Sequence, residues 1–323
     1  MDSVLIIGAG ELGSCVLESL ASHPKRAQVK ISVLVRQTTL TSDSPAKKQK
    51  IQHLQSLDVR FECADIVAAS VDELAAVFSR HHTVVSCSGM ELPSGTQTKL
   101  AEAALQARVR RFFPWQFGMD YDAIGHGSSQ DLFDEQLRVR SMLRGQQDKD
   151  TQQETEWVIV STGLFMSFLF VAAFGIVDLE ARVVRGLGSW GNRITVTTPE
   201  DIGRVTAEIV LDPQDVRNQV VYTAGDTVSY GDLADVLDEV VVAAAAAEGT
   251  DRFSRELWDR ETLREQLRRE PDNPLVKYRD TFAQGKGVAW DVAGTVNAQR
   301  GMPMTDVRRY LTKTTTTTFG PTT

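Results

Sequence analysis

Positive charge is in short supply. Against 43 Asp and Glu the chain carries 35 Lys and Arg, a formal net charge of -8. An acidic surface repels nucleic-acid backbones and anionic lipid, so neither is expected as a partner. Cysteine is nearly absent. Cys15, Cys63 and Cys87 are too few and too scattered for a disulfide framework, and no metal-ligand spacing connects them. Small core residues in a reducing compartment are the expectation, with no metal site. Long hydrophobic runs are also missing. The most apolar stretch, residues 163–177, is broken by Ser167 and Gly175 and followed by Asp178, whereas about 20 apolar residues are needed to span a bilayer. The opening MDSVLIIGAGELG has neither the basic start nor the small-residue cleavage site of a secretory leader. No internal repeat is found. The expectation is a soluble, cytoplasmic protein, monomeric or homodimeric, whose partner is a small molecule.

What is present is apolar mass, 42% of 323 residues, enough for a large core. In the first half it alternates between short runs and helical spacing. Strands are expected at Val4–Ile7, Ile31–Val35, Val59–Cys63, Thr83–Ser86, Arg111–Phe113 and Trp157–Ser161. Helical spacing falls on residues 15–21, 71–78, 98–107 and 132–143 between them. That alternation predicts an α/β chain, a Rossmann-type doubly wound parallel sheet over residues 1–162. The polar stretch 146–156 reads as a surface loop. A smaller C-terminal substrate-binding region is expected over 163–312, with strands near 194–196 and 220–223 joining the sheet or its edge. Thr198 and the acids behind it predict a helix from Pro199 to Val210. A long alanine-rich helix is expected over 232–248 and a charged helix over 252–269. The threonine-rich tail, 313–323, reads as disordered.

Gly8-Ala9-Gly10-Glu11-Leu12-Gly13 matches G-x-G-x-x-G directly after a strand and at the start of a helix, the context a dinucleotide site requires. Gly8 allows the turn, Gly10 lets a pyrophosphate approach the backbone, and Gly13 lets helix and strand pack closely. The phosphates would sit on the first helical N–H groups, Glu11 and Leu12 among them. The second strand ends Val35-Arg36-Gln37, without the acid that usually receives the NAD ribose, and Lys47 and Lys48 follow in the next loop. A guanidinium there clamps a 2′-phosphate, so NADP(H) is the expected cofactor. Ser88 and Gly89, after the fourth strand, supply small residues where a nicotinamide ribose passes.

Taken together, GAGELG, Arg36, VVSCSG and RFFPWQFG resemble the atypical short-chain dehydrogenases, specifically the NmrA-like and isoflavone-reductase-like family. The wording FPWQFGMDYDAIG and ITVTTPEDIG is most similar to a fungal branch associated with secondary metabolism. The resemblance covers residues 1 to about 230 well. It implies NADPH binding, with Pro114 and Phe117 of the P-S-E-F-G-like stretch Pro114–Gly118 beside the cofactor, and an apolar substrate. Trp115 would stack on a flat substrate, and Phe165, Met166 and Phe168 would wall its pocket.

In that family a lysine acts as general acid/base within F-x-x-K-x-x-x-R. Here the stretch is Phe133 to Arg140, and Gln136 holds the lysine's position. A glutamine donates a hydrogen bond but shuttles no proton. Y-x-x-x-K is missing too. Tyr121, Asp120, Asp122 and His126 are the substitutes within reach in sequence. The expected activity is reduction of a C=C, C=O or C=N bond in an aromatic or polycyclic natural product. An NADP(H)-dependent isomerase and a non-catalytic NADP(H) sensor remain as alternatives.

Overall fold

The computed structural model describes residues 3–90, 92–148, 154–242 and 252–319. The chain divides into two compact units. One comprises residues 1–117, 132–161 and 202–221, the other 118–131, 162–201 and 222–323. A single boundary at residue 162 does not describe this division, because the chain leaves the first unit at Gly118 and re-enters it twice.

The first unit is built on β1 (Ser3–Ile7), β2 (Lys30–Val35), β3 (Val59–Cys63), β4 (Thr83–Ser86), β5 (Arg111–Phe113) and β6 (Glu156–Ser161). They are parallel, in the order β6-β5-β4-β1-β2-β3, and strand Gln219–Tyr222 lies outside β6. The order reverses at β1, so the carboxyl ends of β1 and β4 form a topological switch point. Leu5, Ile7, Leu34, Val84, Phe112 and Ile159 share one buried cluster with Leu74, Phe78, Leu100, Val139 and Leu143 of three helices. Each such buried Leu, Ile or Phe contributes roughly 1.5–3 kcal/mol. Val4 and Ile6 alternate onto the opposite face and are equally buried. The helices Glu11–Ser22 and Pro199–Leu211 approach there so closely that a Cβ on Gly203 would stand 2.6 Å from the Cys15 carbonyl oxygen. His23–Glu208 and Lys25–Asp212 pairs follow at the same seam, at 2.9 and 2.8 Å. Burial on both faces is why these strands read as apolar runs rather than as alternation. Of the three cysteines expected in the core, Cys87 is buried, Cys15 half-buried and Cys63 exposed.

The second unit holds two three-stranded sheets. Arg193–Thr197 pairs with Asp226–Ser229 and Leu164–Phe165, so the strand expected to extend the large sheet belongs elsewhere. Only the neighbourhood of 220–223 reaches that sheet's edge. The expected charged helix over 252–269 is two elements. Ser254–Trp258 is a strand beside Val183–Leu187, and Asp259 then caps the helix Arg260–Arg269 by accepting from the Thr262 N–H at 2.8 Å. Of the expected alanine-rich helix, the described residues show an α-helix over Tyr230–Leu237 and a wider π turn over Asp238–Val242; residues 243–251 lie outside the described residues.

The expected disordered tail is helical as far as Phe319; residues 320–323 lie outside the described residues. Thr312 and Thr314 return their hydroxyls to the Arg308 and Tyr310 carbonyls, both at 2.9 Å. Back-bonding of this kind satisfies the hydroxyls of residues placed inside a helix, without favouring the helix itself. Among the described residues no helix is long and apolar enough to cross a membrane.

Candidate functional site

Three glycines shape the end of β1, each for a different reason. Gly8 has φ +90°, and a Cβ there would stand 1.8 Å from Ser88 Oγ. Gly13 faces back onto the loop, where a Cβ would stand 2.1 Å from the Gly8 carbonyl oxygen. Gly10 has φ -70° and caps the helix Glu11–Ser22 without a side-chain bond; a Cβ there would meet nothing within 4 Å. Gly8 and Gly13 are demanded by the fold, whereas the space in front of Gly10 is open. The first helical bond is Ser14 N–H to Gly10 O, 3.1 Å. The preceding N–H groups therefore have no partner within the helix. Glu11 is exposed and Leu12 is buried, so what this pair offers an anion is backbone N–H.

Beside the loop lies a cleft of about 640 Å³ lined by Gly8, Gly10, Arg36, Lys47, Lys50, Asp65 and Ser88, with Ile51, Leu54, Ile66, Val67, Leu92 and Pro93 among its apolar walls. Register explains the convergence. Ile7 is level with Leu34 of β2 and Ser86 of β4, so Gly8, Arg36 and Ser88 leave neighbouring strand ends together. Lys47 and Lys48 are not in a loop. Pro45 opens a helix to Ser56, and positions 47, 50, 51 and 54 share one of its faces. Lys50 thus joins Lys47 on the cleft, while Lys48 pairs with Asp43 at 2.9 Å. Sequence reading missed Lys50, and the Pro-initiated helical spacing is the signal that identifies it. The Asp65 carboxyl is held below its ordinary value by N–H bonds from Val67 and Ala68, with the Arg36 and Lys99 charges adding to that against a small opposing effect of burial.

Gly13, Gly89, Pro114 and Phe117 do not line this cleft. Pro114 and Phe117 are buried. Gly89 lies under the half-buried Trp115, since a Cβ there would overlap the indole at 1.9 Å from Cδ2. One face of Trp115 therefore already packs on backbone at the end of β4.

Gln136 lies on the helix Asp131–Arg144 and is 0% exposed. Neither its amide oxygen nor its amide nitrogen has a hydrogen-bond partner among the described residues. Its main-chain oxygen accepts from Gln116 Nε2 at 2.9 Å, and Gln116 Oε1 accepts from Arg140 Nε at 2.8 Å. An unmet buried amide costs about 1–3 kcal/mol. Gln136→Leu, of similar shape and without polar atoms, is expected to raise the stability of the cofactor-free protein by that order. Chemical denaturation checks it, and a lower midpoint at unchanged slope would refute it.

The remaining sequence candidates belong to the second unit. Tyr121 is buried, with its hydroxyl so near Gly118 that a Cβ there would stand 2.4 Å away. Asp120 caps the short helix behind it, accepting from the Ala123 N–H at 3.1 Å, and its other oxygen accepts from the Tyr222 hydroxyl at 2.9 Å. Asp122 and His126 are exposed, the latter between Gly125 (φ +84°) and Gly127 (φ +72°). Met166 is fully buried core. Phe165 and Phe168 are half-buried, and Phe168 packs against Phe174 with centroids 4.9 Å apart.

Residues 1–248 match the NmrA-like family. An NmrA-like family domain-containing oxidoreductase of Gibberella moniliformis is 55% identical over 310 residues, covering 96% of this chain and 97% of that protein. Phenylcoumaran benzylic ether reductase 1 of Arabidopsis thaliana is 26% identical over 246 residues, 74% of each chain. Two solved structures share the fold. An isoflavone reductase superposes with TM-score 0.74 at 19% identity, covering 97% of this chain and 99% of that one. The leucoanthocyanidin reductase–NADPH binary complex from Vitis vinifera gives TM-score 0.75 at 17% identity, covering 96% and 98%.

Proposed function

Since the chain belongs to the NmrA-like family, we propose that it is an NADPH-dependent reductase of an aromatic or polycyclic natural product, acting in secondary metabolism. The observation that carries this reading is the cleft in which the glycine loop meets Arg36, Lys47 and Lys50. Three cations lining one groove fit a ribose 2′-phosphate. The open space before Gly10 fits a pyrophosphate held on helical N–H groups. NADPH, when bound, supplies the hydride. The relatives that reduce benzylic ethers, isoflavones and leucoanthocyanidins support an aromatic substrate.

The chain's own residues have to bind, orient and settle the proton. Gln136 has an amide with no partner among the described residues, so a substrate carbonyl or hydroxyl would complete its hydrogen bonding once the residues that bury it move aside. It exchanges no proton. Gln136→Ala is therefore expected to lower kcat/KM by up to about tenfold, the worth of a neutral hydrogen bond, without changing the pH profile. If Tyr121 or His126 is the proton donor, Tyr121→Phe or His126→Ala is expected to cost about 100-fold or more and to remove one limb of that profile. Profiles unchanged from wild type, with no large loss of rate, for all three variants would exclude these side chains as acids.

Gln136 also favours a second reading, an NADP(H)-dependent isomerase, because a rearrangement with no net redox change needs no proton delivered from that position. Turnover of phenylcoumaran-type and isoflavone-type aromatics with NADPH deuterated at C4 separates the two. Deuterium in the product with one NADP+ formed per turnover is the reductase result. Product without net NADP+ is the isomerase result. NADPH binding with no turnover on any aromatic tested would overturn both and leave a sensor.

A further inference from the structure

The helix Thr96–Gln106 begins at Gly95, which has no side chain to cap it. Its first N–H groups are instead met from another helix. Glu135 Oε1 accepts from the Gln97 N–H at 2.8 Å and from the Thr98 N–H at 3.2 Å. Glu135 is 3% exposed, and a carboxylate buried at a helix N-terminus is stabilised both by these bonds and by the helix dipole. The capped turn then reaches two walls of the cofactor cleft. The Gln97 side-chain amide donates to the Ser88 carbonyl at 3.0 Å. Lys99 Nζ donates to the Val67 and Ala69 carbonyls at 2.7 and 2.9 Å. Ser88 and Val67 both line the cleft, and the Ser88 hydroxyl donates to the Ile7 carbonyl, just before the glycine loop, at 3.3 Å.

We infer that Glu135 is a positioning residue for the cofactor cleft: through the first turn of Thr96–Gln106 it fixes the Ser88 loop and the Val67–Ala69 turn in the places that receive the cofactor. Gln97 and Lys99 are the two arms of that arrangement. Its geometry explains how a buried carboxylate is held, by two main-chain N–H groups, and why Gln97 and Lys99, two positions apart on one helix, both direct their side chains to loop carbonyls. Ligand geometry held by a supporting shell is sensitive to the removal of one support. Because Glu135 adjoins Gln136, the same bond also ties the helix carrying Gln136 to the cleft.

The inference rests on the proposed NADPH binding, so the wild type is measured first. NADPH is titrated by fluorescence, well below the melting temperature, into the wild type, Glu135→Ala, Glu135→Gln and Gln97→Ala, alongside the melting temperature of each without cofactor. Glu135→Ala is expected to bind roughly tenfold more weakly, since two buried donors lose their acceptor. Glu135→Gln keeps an acceptor oxygen and is expected to return to within about threefold of wild type. Gln97→Ala leaves the helix cap intact and is expected to weaken NADPH severalfold with little change in melting temperature; it decides the matter alone if Glu135→Ala does not fold. A wild type that binds no NADPH overturns the cofactor reading and this inference with it. A wild type that binds, with Gln97→Ala and any folded Glu135→Ala binding equally well, overturns the inference alone. So does a Glu135→Gln protein that binds no better than Glu135→Ala.

Discussion

Gly10→Val is expected to leave the fold standing while NADPH affinity falls by about 100-fold or more, roughly 2.7 kcal/mol. The backbone at Gly10 has φ -70°, which any residue adopts, and among the described residues no atom beyond the adjoining backbone lies within 4 Å of the position a Cβ would take. Nothing in the protein resists the side chain. What it fills is the approach to the first-turn N–H groups, where the pyrophosphate is proposed to lie, and a β-branched residue keeps an anion off them. Each charge-assisted bond lost is worth about 1.5–3 kcal/mol, so losing two suffices for the expected effect. Replacing a glycine cap by valine costs the helix itself of the order of 1 kcal/mol or less. Calorimetric titration beside thermal denaturation reads both quantities. A folded variant with undiminished binding would move the phosphate site away from this loop.

Gly13→Ala is expected to fail in the opposite way, through the fold. The added methyl would stand 2.1 Å from the Gly8 carbonyl oxygen and 3.4 Å from the Cys87 Cβ. The first contact is backbone, held where it is because the loop leaves β1 between two paired strands. Relief requires the helix Glu11–Ser22 to move off the sheet, with Leu12, Val16 and Leu20 behind it in the core. Overpacking of this kind costs about 1–3 kcal/mol, occasionally more, and the upper end is expected where backbone is struck. That corresponds to roughly 6–12 °C in Tm for a unit of this size. One methyl three residues from Gly10 thus separates a binding defect from a folding defect. A Gly13→Ala protein as stable as wild type would contradict the helix–strand contact.

The half of the chain most legible in sequence is the half whose strands are buried on both faces. VLII and TVVS have no amphipathic alternation because helices cover both sides of the sheet, and the strand–loop–helix setting of G-x-G-x-x-G is legible because it is local. Elements set by distant partners are less legible. SRELW carries charges at helical spacing, yet it forms an edge strand because its register with Val183–Leu187 is supplied from some seventy residues away. The threonine tail resists a helical reading by propensity, yet it is helical as far as Phe319, and no local signal in its sequence accounts for that. Lys50 escaped because the segment after Arg36 was taken for a loop; once Pro45 starts a helix, the face shared by Lys47 and Lys50 follows. Glu135 could not be read at all, since nothing local marks an acid that caps a helix 38 positions earlier in the chain. Gln136 was legible only as a residue type at a family position, and its burial without a partner emerges from packing alone.

The most direct test is a titration of NADPH and NADH against the wild type and Arg36→Ala. Arg36 directly follows β2 and lines the cleft together with Lys47 and Lys50, so the wild type is expected to bind NADPH at least tenfold tighter than NADH, about 1.4 kcal/mol or more. Arg36→Ala is expected to lose most of that preference while its NADH affinity changes little. Equal affinity of the wild type for the two cofactors would contradict a 2′-phosphate site at Arg36, Lys47 and Lys50, and with it the NADPH-dependent reductase.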